Sequence, residues 1–111
     1  MIHKMKLSQP WYKLVKTGQK NIEGRIYDDK RKLLNVNDII KFSDKEGKNV
    51  FNKKIIKLEV YKDFDSAIKR AKLKNILPGI RTCKEGIKIY HDIPSYKENA
   101  KKFGVILIYL K

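Results

Sequence analysis

Cysteine is almost missing from this 111-residue chain: Cys83 stands alone, which excludes any internal disulfide. One cysteine and two histidines, His3 and His91, fall short of the usual structural zinc sets. We therefore expect no metal and no cofactor. Long apolar runs are lacking too, and no window approaches the roughly 18 apolar residues that a membrane span needs. Met1–Lys6 has none of the apolar stretch of a signal peptide. These absences predict a soluble chain in a reducing, cytoplasmic compartment, taken as a monomer. Acidic residues are scarce, 12 against 27 basic ones, and the chain carries +15. Arginine is scarce as well, with only Arg25, Arg31, Arg70 and Arg81, so the excess is mostly lysine.

Such a field suggests nucleic acid as partner, through phosphate neutralisation and counterion release. Isoleucine and asparagine are also abundant, and an A/T-rich genome raises all three residue types without selection for binding. The charge permits RNA or DNA binding without establishing it. Each arginine carries more information, because its planar fork does what lysine cannot.

At 13.1 kDa the chain has room for one core and reads as one domain, residues 1–111. His3–Leu7 alternates as a strand. Ser8 or Gln9 is set to cap a helix with Pro10 in its first turn, and Trp11, Leu14 and Val15 form a core stripe. Strands follow over 20–28, 38–42 and 53–61, with turns at 28–32 and 37–38 and a hairpin-like loop at 44–49. Asp63 opens a helix whose Phe64, Ala67, Ile68 and Ala71 have helical spacing. Leu77-Pro78-Gly79 breaks the chain. Thr82-Cys83-Lys84-Glu85 and Ser95-Tyr96-Lys97-Glu98 have capping-box form, each starting a helix. Gly104 ends the last helix, and Val105–Leu110 is an unbroken apolar strand, expected to be central. First and last elements are both strands, so the two are expected to pair. The class is α+β: a small, partly closed β-barrel with short helices at its rim.

Chemistry concentrates in Gly18-Gln19-Lys20-Asn21-Ile22-Glu23-Gly24-Arg25. Gly18 suits a left-handed helix end. Strand alternation puts Ile22, Gly24 and Ile26 on one face and Glu23, Arg25 and Tyr27 on the other, with Lys20 at the turn. Two readings fit: a cluster that holds a phosphate-bearing ligand, or an exposed Glu/Arg pair on a solvated strand.

This segment, G-x-K-x-(I/V)-E-x-R in form, resembles the signature of the ASCH domain family, a branch of the PUA-like β-barrels. The opening strand is similar too, and so is Asn35–Phe42, with Asn37 where the family has glycine. Leu77-Pro78-Gly79, Glu85–Tyr90 and Phe103–Ile106 resemble the closing helix and strand of short, stand-alone members. The resemblance implies a cleft between barrel and helices that receives RNA or a nucleotide. Lys20 would then supply a mobile point charge for phosphate and Arg25 a bidentate donor. Glu23 would orient either cation or accept from an exocyclic amine. Tyr27 or Tyr90 would stack on an unpaired base, although Tyr90 shares a helix face with Ile87 and reads equally as buried. Arg31 would be a peripheral phosphate contact or simply solvated.

Some bacterial relatives are amidohydrolases that deacylate N4-acetylcytidine with a lysine, a threonine and a glutamate; others are ribonucleases. Lys20 matches that lysine, but Glu23 occupies the threonine position, so the hydroxyl nucleophile is missing. Glu23 activating water beside Lys20, with Glu85 as the later glutamate, is the catalytic alternative; capping also accounts for Glu85. A protein-interaction adaptor ranks third, since no large apolar patch is visible.

Overall fold

Five strands and five short helices make up the computed structural model, which describes residues 1–111. In chain order they are β1 (Ile2–Lys6), α1 (Trp11–Thr17), β2 (Ile22–Ile26), β3 (Ile39–Ser43), β4 (Phe51–Tyr61), α2 (Phe64–Ala71), α3 (Leu73–Ile76), α4 (Cys83–His91), α5 (Tyr96–Phe103) and β5 (Val105–Leu110). A 3-10 turn covers Arg31–Leu33. The strands form one sheet in the order β1-β3-β4-β5-β2, curled into a half-barrel. β1 and β3 run parallel; the other neighbours are antiparallel. The α+β, partly closed barrel class is therefore observed.

β5 explains the layering. Val105 and Leu107 pack with Phe64, Ile68, Ile76 and Tyr90 under the helices, while Ile106, Ile108 and Leu110 pack with Met5, Val15, Phe42 and Ile55 on the opposite face. A strand buried on both faces belongs inside a sheet, and β5 lies between β4 and β2 as its apolar run predicts. The expected pairing of first and last strands does not occur. β1 and β2 are the two edges, because β5 spends both of its edges on β4 and β2. β4 spans the two halves: its start pairs with β3 and its remainder with β5, with a register irregularity between Ile55 and Lys57. Such irregularities bend and twist a strand.

Helix chemistry follows sequence in most places. Asp63 Oδ1 accepts from Ser66 N at 2.8 Å, and α2 buries all four residues of its stripe. Thr82 Oγ1 accepts from Glu85 N at 3.2 Å at the start of α4. Gly18 takes the left-handed conformation (φ 85°), and its N–H bonds Val15 O at 3.1 Å. Asn37 is likewise left-handed, at φ 78°, where it substitutes for glycine. Three expectations fail. Neither Ser8 nor Gln9 caps α1; Pro10 holds the cap position, and Gln9 Oε1 reaches only Lys13 N, at 3.4 Å. Ser95 is left-handed (φ 70°) and makes no capping bond, so only Thr82 of the two forms an N-cap. The buried residues of α1 are Tyr12 and Val15, while Trp11 and Leu14 are half-buried. α3, four residues long, lacks a sequence signal of its own. No helix is long and apolar enough to cross a membrane.

Candidate functional site

Gly18 turns the chain back on α1, and Lys20 N–H bonds Leu14 O at 2.9 Å. The Lys20 side chain consequently runs inward and is 2% exposed. Its ammonium donates to Ile22 O at 2.7 Å and to Ile76 O, and lies 3.3 Å from Glu23 Oε1. An ammonium has three protons, and each of these has an acceptor within the protein. Ile76 ends α3, and carbonyls in a helix's last turn lack intrahelical partners, which frees its oxygen for this bond. Lys20 is therefore not a mobile charge leaning over the strand. It is a tie between β2 and α3. Burial pulls its pKa below the ordinary value, and Glu23 opposes this only in part.

Glu23 pairs with Ile108 across β2 and β5, so it faces the same side as Ile106 and Ile108. It is buried, and the reading of a solvated Glu/Arg pair falls with that. Oε1 faces Lys20 and Oε2 accepts from Arg25 Nε at 2.8 Å. Burial would raise its pKa, but Arg25 and then Lys20 outweigh burial and hold the carboxyl below its ordinary range. Burial also disfavours the Arg25 cation; Glu23 overcomes it and raises the guanidinium pKa. Arg25 Nη2 donates to Lys6 O at 3.0 Å, across the gap between edge strands β2 and β1. A guanidinium has five N–H donors, so these two bonds leave Arg25 donors to spare.

A cleft of about 150 Å³ opens over this group. Trp11, Tyr90 and Tyr96 supply its aromatic lining, Lys20, Glu23 and Arg25 its buried charges, and Lys6 and Lys45 further cations. Gly24 lets Tyr90 come close: a Cβ there would sit 3.0 Å from Tyr90 Oη. Tyr90 stacks on Phe64, with centroids 4.2 Å apart and planes 10° apart, and is buried. With one face committed to Phe64, its ring is a wall and not a free platform for a base. Burial, then Glu23, raises its hydroxyl pKa well above 10.

The other sequence-derived candidates lie elsewhere. Tyr27 packs against the cluster around Leu34 and Ile40, with Lys32 Nζ 5.5 Å from its ring centroid. Arg31 is braced by Asp28, Nη1 to Oδ2 at 2.9 Å, and lines a neighbouring cleft that also includes Arg25 and Lys6. Glu85 is exposed and receives a bond from Thr82 Oγ1 at 3.2 Å, outside both clefts. Lys20, Glu23, Arg25 and Tyr90 are thus brought together; Tyr27, Arg31 and Glu85 are not part of that group. Sequence reasoning assigns Trp11 to the core and gives Tyr96 and Lys6 no role. Trp11 sits on the cleft side of its apolar stripe, and Tyr96 follows a cap that does not form. No three His, Cys, Asp or Glu side chains gather in a metal-binding group.

Comparison with known proteins places this fold in a family. A model of the ASCH domain matches residues 5–111. Among solved structures, the hypothetical protein PH0355 is 35% identical, with the match covering 100% of this chain and 98% of that one at a TM-score of 0.89. The protein PF0455 of Pyrococcus furiosus is 33% identical, over 100% of this chain and 96% of that one, at a TM-score of 0.79. No protein of curated function matches. A family match across the sheet, the buried charges and the closing strand leaves one conclusion: the chain belongs to the ASCH domain family, a PUA-like fold often linked to RNA binding.

Proposed function

We propose that the cleft over Glu23 receives one unpaired nucleobase of RNA, or a modified nucleotide. The observation that carries this reading is a buried carboxylate held ionised between two cations, one of which keeps donors free, under an aromatic wall. A carboxylate accepts from an exocyclic amine, and a guanidinium donates to an adjacent base acceptor or to phosphate. Glu23 has two oxygens with about four lone-pair sites, so its two cation partners leave acceptor capacity for a ligand amine. The volume sets an upper bound. At about 150 Å³ the space is well below the ~300–1,000 Å³ of drug-sized pockets, which favours one base over a folded strand. Trp11 and Tyr96 are the candidate stacking surfaces.

Trp11 is the only tryptophan, so its fluorescence reports on the cleft directly. Titration with short single-stranded RNA should change its emission, with affinity that falls steeply as salt rises. Arg25→Gln should weaken binding about tenfold at fixed salt, or about 1.4 kcal/mol. An unchanged Trp11 signal up to millimolar RNA, or an affinity indifferent to Arg25, would overturn the reading.

Hydrolysis of an acylated nucleobase at the same cleft is the second reading, favoured by the lowered pKa of the buried Lys20 amine. Two features count against it. The Lys20 protons are all committed, and a carboxyl held low by two cations is a weak base. Turnover of N4-acetylcytidine that disappears in Glu23→Gln would reverse the ranking.

A further inference from the structure

Beside the first cleft lies a larger one, about 470 Å³ against about 150 Å³, and the two share Lys6 and Arg25. Its lining includes Lys4, Lys6, Arg25, Lys30, Arg31 and Lys41, and neither aspartate nor glutamate. Backbone register makes this concentration costly. Lys4 and Lys41 are direct partners across β1 and β3, and like charges placed opposite each other destabilise a sheet. Elsewhere on the surface lysines stand beside acids, as in Lys57–Glu59, Lys69–Asp65 and Lys88–Asp92. Asp28, beside this lining, is spent on bracing Arg31 through both its backbone N–H and its Nη1. That brace pre-sets a guanidinium at the rim, and Arg31 Nε–H is buried without an acceptor in the protein. Arg25 is likewise pre-set by Glu23, at the wall between the two clefts. Two oriented forks with mobile lysines around them, and few apolar residues, suit an anion with several oxygens.

We propose that this second cleft holds the phosphodiester backbone of the single-stranded RNA whose base enters the first. Arg25 and Lys6 contact the phosphate next to the inserted base, while Arg31, Lys4 and Lys41 take the following one. The inference rests on the base-binding reading and extends it: the ligand is a strand, and a free nucleoside is only its fragment.

Three probes separate the two ideas, at about 0.1 M salt, where the Debye length is about 10 Å. They are cytidine or adenosine, a trinucleotide containing that base, and inorganic tripolyphosphate. Trp11 emission reads the first cleft; amide NMR shifts of Lys4, Arg31, Lys41 and Gly47 read the second. The expected result is a trinucleotide at least tenfold tighter than its nucleoside, moving both sets of signals. Tripolyphosphate should move the second set alone. In Lys4→Gln/Lys41→Gln the trinucleotide's advantage over the nucleoside should collapse, and its log–log salt slope should shrink by about 0.7 for each phosphate no longer neutralised. The variant should melt no lower than the parent, because it relieves an opposed pair of like charges. Equal affinities for trinucleotide and nucleoside would overturn the backbone site and leave the base cleft standing. Second-cleft shifts with a silent Trp11 would do the opposite.

Discussion

The two ends of the buried charge group treat the same carboxylate differently. At the inner end Lys20 is 2% exposed and gives every proton to Glu23 and two backbone carbonyls. At the outer end the Arg25 side chain is 13% exposed, spends two N–H groups inside the protein and faces two clefts with the rest. A lysine is a compact donor that three acceptors exhaust; an arginine satisfies its carboxylate with one edge and keeps another free. The difference teaches that a charged triplet in a strand-and-turn motif does not act as one unit. Its inner cation serves folding, and its outer cation is the one that keeps donors for the proposed ligand.

The severest way to break this contrast is to remove the carboxylate that both ends share. Glu23→Ala leaves two cations buried without a counter-charge, and stranding a buried charge costs about 3–5 kcal/mol. Chemical denaturation should show a loss of that size, large against the ~5–15 kcal/mol stability of a typical domain. A loss below about 1 kcal/mol would mean that the group is solvated and that inner and outer ends do not differ.

Next comes a crossed pair of variants. Lys20→Met strips a donor from Ile22 O and Ile76 O; at about 1–3 kcal/mol for each stranded buried acceptor, it should lower stability by about 2 kcal/mol or more. Its effect on RNA affinity, measured where the variant is still folded, should stay within about threefold, or ~0.6 kcal/mol. Arg25→Gln should show the reverse: about tenfold in affinity, and a smaller stability loss than Lys20→Met, because Glu23 keeps its lysine partner. If both variants lose affinity equally, the inner end also touches ligand.

Why sequence shows Arg25 so much better than Lys20 has a physical answer. Period-two alternation fixed Glu23 and Arg25 on one strand face, and the sheet confirms it through their partners Ile108 and Ile106. Strand types, the α2 stripe, the Thr82 cap and the central place of β5 were readable for the same reason, since each is a local rule acting on neighbours in the chain. Lys20 was not readable, because its burial depends on Ile76, 56 residues away, at the end of a four-residue helix that no period announces. Sheet order failed likewise: β1 and β2 become edges because β5 pairs along its two sides with β4 and β2, a choice among strands far apart in the chain. Tyr90 illustrates the ambiguous case, where helical spacing predicts burial and only Phe64 decides what the ring can do.

Acid titration sharpens the contrast with a smaller effect. The folded pKa of Glu23 lies below its ordinary 4.5, so its contribution to stability is complete above that value. It is lost as pH falls through the lower, folded value, because the unfolded chain takes up the proton first. The stability gap between the parent and Glu23→Gln should therefore be constant from neutral pH down to about 4.5 and narrow below it. Comparing the two cancels the other carboxyls held low in the fold, Asp38, Asp44, Glu59 and Asp63. A gap that does not change with pH would show that neither cation holds this carboxyl in its ionised form.

The smallest expected effect tests the boundary of the site. Glu85, a candidate catalytic residue by resemblance alone, is exposed at the start of α4, where its partner is Thr82. Thr82→Ala should cost about 1 kcal/mol through loss of the N-cap, since the hydroxyl satisfies Glu85 N–H. Glu85→Ala should lower the melting temperature less than Thr82→Ala, because the cap hydroxyl keeps its backbone bond. Neither change should alter trinucleotide affinity or any turnover of N4-acetylcytidine, as both residues lie outside the two clefts. If Glu85→Ala abolished turnover while the protein stayed folded, the chemistry would need a second carboxylate brought in from α4. The division between a folding end and a binding end would then describe only the resting state of the charge group.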